Sequence, residues 1–249
     1  MNTSFELVKH NGLELLAYAP WWSKGIIHGM TTRALSFATS SLGGSVNDLC
    51  LAVGATKLAL PLQCHGSDLV NLSSRDYLTE ALQRNGDLLR RVSGDALLAP
   101  GSQVLESDTI AYGVMTADCV PIIVAGDGGY LLVHAGWRGL ANGIISKTIS
   151  ELSGPKEAVV FACAGAHTYE VGAEVLESLK GRDPVYSAIP GSPGKYLLDT
   201  GATAARQMAR TVPSLSISVS EVCTISDARF HSFRRDGAEA GRNVTFVLP

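Results

Sequence analysis

The sequence predicts an α+β fold in which one domain, residues 1–249, builds a mixed β-sheet core flanked by helices. Three observations predict it. Short runs rich in aliphatic and β-branched residues recur between Gly, Asn, Asp and Pro, as strands do. Amphipathic stretches of helical period fall between those runs without strict βαβ alternation. The chain is also apolar: 46% of its 249 residues are hydrophobic and 17% charged, against a usual charged share of about 25%. That composition excludes a disordered chain, a coiled coil and a collagen-like repeat, and the length suffices for a core without staples.

The elements follow in order. Residues 5–7 and 13–18 flank Asn11-Gly12, a turn dipeptide that favours a hairpin. Residues 75–92 are expected to be helical. Residues 110–116, 120–125 and 130–134 read as three closely spaced strands, with Gly126-Asp127-Gly128-Gly129 turning between the last two. In residues 137–152, Leu140, Ile144, Ile145, Ile149 and Leu152 form one helical stripe. Residues 158–162 read as a strand. In residues 169–179, Val171, Val175 and Leu179 recur every fourth position, as on a helix face. Residues 181–194, rich in Gly, Pro and Ser, read as a long surface loop. Asp199 is the expected N-cap of a helix to about Val212, with Ala202, Ala205, Met208 and Ala209 facing inward. Residues 216–222 and 243–248 complete the strands.

Charge and cysteine usage narrow the function. Lys and Arg number 20 against 23 Asp and Glu, a net charge of −3, so no global basic field holds a nucleic-acid backbone. The five cysteines are odd in number and widely spaced, with no C-x-x-C pair, which is not a disulfide framework. The N-terminal residues lack the pattern of a signal peptide, and the apolar runs are too short to span a bilayer. The expectation is a protein of the reducing cytoplasm that works on neither nucleic acid nor membrane. The P-loop, G-x-G-x-x-G, H-E-x-x-H and G-x-S-x-G signatures are absent.

Three segments place reactive side chains at strand ends beside turns: Gln63-Cys64-His65-Gly66, Thr116-Ala117-Asp118-Cys119-Val120-Pro121 and His134-Ala135-Gly136-Trp137-Arg138-Gly139. Two imidazoles and a thiolate, from His65, His134 and Cys119, suit Zn²⁺ with a fourth position left open. By spacing alone the signal is weak, because a lone buried Cys is usually an inert small hydrophobe. Cys64 would point away from His65 in a strand and reads as packing. Arg138, opening a helix between glycines, offers a forked donor that could join the helix N–H groups on an anion. A packing turn with Arg138 in solvent serves equally well locally. The late segment Phe230-His231-Ser232-Phe233-Arg234-Arg235-Asp236-Gly237, followed by Gly241-Arg242, could complete an anion site. The simpler reading pairs Arg234 or Arg235 with Asp236 or Glu239 at the surface.

In order and wording these segments resemble the YfiH-like family, also called the laccase-domain or multicopper polyphenol oxidase family. Its Q-V-H-G, T-A-D-C-x-P, H-A-G-W-R-G, Y-E-V-G and F-S-x-R-R-D-G elements correspond to the segments beginning at Gln63, Thr116, His134, Tyr169 and Phe230. His28-Gly29-Met30-Thr31-Thr32-Arg33 and Gly94-Asp95-Ala96-Leu97-Leu98 resemble two further elements. Cys64 stands where the family usually has Val.

The resemblance implies a single α+β domain holding zinc through His65, Cys119 and His134. It implies phosphorolysis of adenosine, inosine, guanosine or methylthioadenosine, with adenosine deamination as a further activity. Nucleoside and phosphate would then be the partners, with Arg33, Arg138 and Arg242 as substrate-binding candidates. Cys119, His65, His134, Arg138 and Asp118 are the catalytic candidates, Asp118 as a group that could orient Cys119 or handle a proton. Some family members are described as peptidoglycan-editing factors and older descriptions as copper polyphenol oxidases. Copper ranks below zinc, because six histidines without a Met-rich or Cys-x-x-x-His cluster make a multicopper centre hard to assemble. A rival reading needs no metal: Cys119 as thiolate nucleophile with His134 as its base, hydrolysing an amide.

Overall fold

The computed structural model describes residues 4–37, 42–85 and 89–249. The apolar runs form strands β1 (Phe5–His10), β2 (Leu13–Tyr18), β3 (Ile27–Thr31), β4 (Lys57–Leu62), β5 (Leu69–Asn71), β6 (Leu89–Ser93), β7 (Ala96–Ala99) and β8 (Ile110–Thr116). They continue with β9 (Val120–Gly126), β10 (Gly129–Ala135), β11 (Glu157–Val160), β12 (Glu170–Gly172), β13 (Val185–Ala188), β14 (Lys195–Asp199), β15 (Ser216–Val219) and β16 (Asn243–Leu248). One sheet runs β1-β2-β3-β16-β8-β4-β6 and a second β15-β11-β9-β10-β7-β5, with a small third sheet β12-β14-β13. The expected mixed sheet is present twice over: β4 runs parallel to both β8 and β6, and β11 parallel to β15, while β9 and β10 pair antiparallel.

The period-two pattern of the strands explains the layers. Ile110, Tyr112 and Val114 of β8 share one buried cluster with Ile123 of β9, Leu132 of β10 and Leu97 of β7, so the two large sheets pack face to face. The alternate residues Ala111 and Met115 face outward, where they meet Val46, Leu49, Cys50 and Val53 of α2 (Leu42–Val53). On the far side, Ile122, Val124, Leu131 and Val133 pack against Ile144, Ile145 and Ile149 and against Met208. Helices therefore cover both outer faces. Each Leu, Ile or Val so buried contributes about 1.5–3 kcal/mol. No helix among the described residues is long and apolar enough to cross a membrane.

The hairpin around Asn11-Gly12 forms as expected, with its first strand reaching His10. Four expected elements change. The helix expected over residues 75–92 stops as α3 (Arg75–Asn85), and residues 89–93 instead pair with β4, a tertiary pairing that overrides local propensity. Residues 137–152 split into α4 (Trp137–Ala141) and α5 (Ile144–Ile149) at Gly143, whose φ of 75° no helix residue adopts. Residues 170–172 form β12 before α6 (Ala173–Ser178) begins, and the expected 181–194 loop contains β13.

The Asp199 cap is as expected. Its carboxylate accepts the Ala202 N–H at 2.8 Å and starts α7 (Thr200–Thr211). The buried face is shifted, however, to Thr200, Thr203, Ala204, Gln207 and Met208, and Ala209 is exposed. The buried polar residues are satisfied internally: Thr203 Oγ1 accepts the Val185 N–H, and Gln207 Nε2 donates to the Arg182 carbonyl.

Candidate functional site

The three reactive segments meet because the chain changes sheets between β8 and β9. The turn carrying Asp118 and Cys119 crosses from the first large sheet to the second. The segment after β4 brings His65 to the same end, and His134 is the penultimate residue of β10. The potential ligand atoms of His65, Cys119 and His134 all lie within 4.8 Å of one another. The two imidazole centroids are 4.9 Å apart with planes at 79°.

Backbone conformation enforces this approach. His65 and Asp118 both sit in the left-handed region, with φ of 62° and 91°. Such conformations cost a non-glycine residue free energy and persist only where the surroundings hold them. Asp95 holds the first. Its carboxylate is fully buried, and accepts from the N–H groups of His65 at 2.9 Å and Gly66 at 2.6 Å. The same carboxylate accepts the Nδ1–H of His134 at 2.8 Å. The second turn is held by the C-terminal segment: Asp118 accepts from the Thr224 hydroxyl at 2.7 Å and the Arg234 N–H at 2.6 Å.

The electrostatics follow from this packing. Burial opposes ionisation of Cys119, but the His134 and His65 imidazoles outweigh it and bring the thiol down to about 6. Burial likewise opposes charge on His134, but Cys119 and Asp95 outweigh it and push the ring up to about 9. Burial alone would raise Asp95; its hydrogen bonds to His134, Gly66 and Cys64 hold it well below the usual carboxylate range. The metal-free site therefore favours a thiolate beside an imidazolium.

The donor set fits a metal. His134 spends Nδ1 on Asp95, which leaves Nε2 free, and the orienting carboxylate is the arrangement ligating histidines commonly have. Two imidazole nitrogens and an easily ionised thiol suit Zn²⁺ in a three-ligand open site.

A cleft of about 550 Å³ opens over these residues, within the usual range for small-molecule sites. Arg138, Arg234 and Arg242 line it, together with Tyr169 and Phe233. Arg138 lies over the Trp137 ring at 4.4 Å. Because α4 is barely more than one turn, the guanidinium and not a long helix field is what the cleft offers an anion there. Arg234 stacks over Tyr169 at 4.7 Å and donates to the Glu170 carbonyl. Arg242 donates to the Ala240 and Gly241 carbonyls.

Arg33 is not brought to the cleft. Its guanidinium pairs with Asp236 at 3.2 Å, a surface partner that the sequence did not suggest for it. Arg235 also pairs with Asp236, as the simpler reading of that loop expected. Cys64, expected to pack, is exposed, and its thiol donates to Asp95 at 3.2 Å. Arg234 lines the cleft, as the anion-site reading of the late segment allowed, whereas sequence reasoning missed Asp95 and, as cleft residues, Tyr169 and Phe233. The available signal for Asp95 was an acidic residue directly before an apolar strand, Gly94-Asp95-Ala96-Leu97-Leu98.

Comparison with known proteins bears on this geometry. The model of a family described as multi-copper polyphenol oxidoreductase laccase matches residues 41–249. A protein of Aquifex aeolicus named purine nucleoside phosphorylase is 35% identical over 203 residues, 78% of this chain and 84% of its own. YlmD of Geobacillus stearothermophilus, also named a purine nucleoside phosphorylase, is 32% identical over 257 residues, 90% of each chain. The crystal structure of the hypothetical protein YfiH of Bacillus licheniformis matches 99% of both chains with a TM-score of 0.78 at 17% identity, a likeness of fold.

Proposed function

The chain belongs to the multi-copper polyphenol oxidoreductase laccase family, and from that premise we propose that it is a zinc-dependent purine nucleoside phosphorylase of the cytoplasm, its 249 residues forming one enzyme domain. The observation that carries this reading is the His65, Cys119 and His134 cluster inside a cleft lined by three arginines. Relatives bearing the name purine nucleoside phosphorylase support the choice of substrate.

In phosphorolysis a phosphate oxygen bonds to ribose C1′ as the bond from C1′ to the base nitrogen breaks. The base leaves with the electron pair and takes up a proton. Arg138 and Arg242, both in the cleft lining, would bind and orient the phosphate, because forked guanidinium donors match its oxygens. Arg234, whose N–H is held by Asp118, adds a third guanidinium to the cleft lining. Phe233 and Tyr169 present apolar faces on which a purine can rest. His65, Cys119 and His134 would hold the metal, which when bound supplies Lewis acidity.

The test is a panel of adenosine, inosine, guanosine and methylthioadenosine with and without phosphate, followed by chromatography of the released bases. Phosphate-dependent release is the expected result. Inosine formed from adenosine without phosphate would reveal the deamination that the resemblance also implies.

A second reading has its own observation. Cys119 beside His134, its thiol brought down to about 6, is also the arrangement of a cysteine amide hydrolase. Metal content measured beside the rate of thiol alkylation separates the two, since a bound metal would occupy the thiolate. For copper polyphenol oxidation, the described residues offer one three-donor cluster, fewer donors than a coupled copper centre needs.

A further inference from the structure

We propose that Asp95 is the positioning residue of this site: one buried carboxylate fixes both histidines, His134 through its ring and His65 through its backbone, before any metal or substrate arrives. The inference rests on the metal reading above for its purpose, but its geometry stands independently. Oδ1 accepts the Nδ1–H of His134 at 2.8 Å and the His65 N–H at 2.9 Å. Oδ2 accepts the Gly66 N–H at 2.6 Å and the Cys64 N–H at 3.3 Å. A carboxylate is acceptor-only, so each oxygen can serve donors on its own side. The consequence for His134 is chemical: with Nδ1 committed as a donor, Nε2 is the nitrogen that faces Cys119. The consequence for His65 is conformational. Its φ of 62° is held by acceptors on two successive N–H groups.

Position 95 is also locked into the sheet. The Asp95 N–H donates to the Asp68 carbonyl at 3.0 Å, and the His134 N–H donates to the Asp95 carbonyl at 2.8 Å. Residue 95 therefore ties the His65 turn to β10 through both its main chain and its side chain. Asparagine has nearly the same shape, but its amide replaces one acceptor with a donor. That donor must face either the His134 Nδ1–H and His65 N–H at Oδ1 or the N–H groups of Gly66 and Cys64 at Oδ2, and one side of the clamp is lost.

The experiment compares full-length wild type with Asp95→Asn. Zinc affinity, measured against a competing chelator, should fall roughly ten- to a hundredfold in the variant, the usual cost of losing such a partner. The second readout uses metal-free wild type and needs no variant. NMR with ¹⁵N-labelled histidine should show a low-field, slowly exchanging proton on His134 Nδ1, whether or not Nε2 carries one. Its absence in the wild type overturns the proposal, as does unchanged zinc affinity in folded Asp95→Asn. If wild type binds no zinc, the metal reading fails, and the Nδ1 proton alone still decides the role of Asp95.

Discussion

A β-carbon at position 136 would stand 3.0 Å from the sulfur of Cys119 and 3.4 Å from Cδ2 of His65, so any side chain there must displace these two ligands by a few tenths of an ångström. Backbone strain is not the reason, since Gly136 has an ordinary φ of −71°. Gly136→Ala should therefore act by pushing Cys119 and His65 apart. Overpacking of this kind costs about 1–3 kcal/mol, and zinc affinity should fall roughly tenfold or more. Chelator competition and a thermal melt check this; unchanged affinity would mean the site relaxes without loss.

Arg138→Ala should impair phosphorolysis by roughly ten- to a hundredfold, because one charged hydrogen bond contributes about 1.5–3 kcal/mol. The KM for phosphate should rise. Arg138→Lys should rescue in part, since a point charge cannot reproduce the fork or the stacking over Trp137. Full rescue by Lys would leave Arg138 as a source of charge only.

Stability should fall in mild acid through His28. Its ring is fully buried, with Nε2 accepting the Tyr18 N–H and Nδ1–H donating to the Ile26 carbonyl. Burial lowers its pKa to about 4, so between about 6.5 and 4 the unfolded chain takes up a proton that the folded chain refuses. The stabilisation is complete above the unfolded value and is lost as pH falls, by about 3 kcal/mol in all. Denaturant unfolding at several pH values should show a shallower slope for His28→Gln than for wild type. Equal slopes would exclude His28 as the source.

Metal removal should leave the protein folded. The two large sheets and their helices bury apolar clusters apart from the site, which a chain of this length can stabilise unaided. Cooperative thermal unfolding should persist after chelation, with Tm lowered by the lost binding energy alone. A non-cooperative melt would make the metal structural.

The sequence was most legible where local chemistry decides the structure. Asn11-Gly12 forces its hairpin, Asp199 caps its helix, and β8, β9 and β10 are bounded by turn residues. It was least legible where partners distant in sequence decide. Residues 89–93 become a strand because β4 is there to pair with them. Thr203 and Gln207 are buried because distant backbone groups satisfy them, which shifts the inward face of α7 away from Ala209. The ligand cluster was readable from its motifs. Asp95 stood out only as an acidic residue before an apolar strand, since a carboxylate that joins two segments distant in sequence carries no further local sign.

His65, Cys119 and His134 are proposed as the metal site of a phosphorolytic enzyme. The most direct measurement is base release from the four nucleosides, with and without phosphate, by zinc-analysed wild type and Cys119→Ala. Wild type should hold about one zinc per chain, as one three-ligand site implies, and release free base only with phosphate. Both should be lost in folded Cys119→Ala. Full zinc occupancy and undiminished base release in that variant, or no phosphate-dependent release by zinc-loaded wild type, would contradict it.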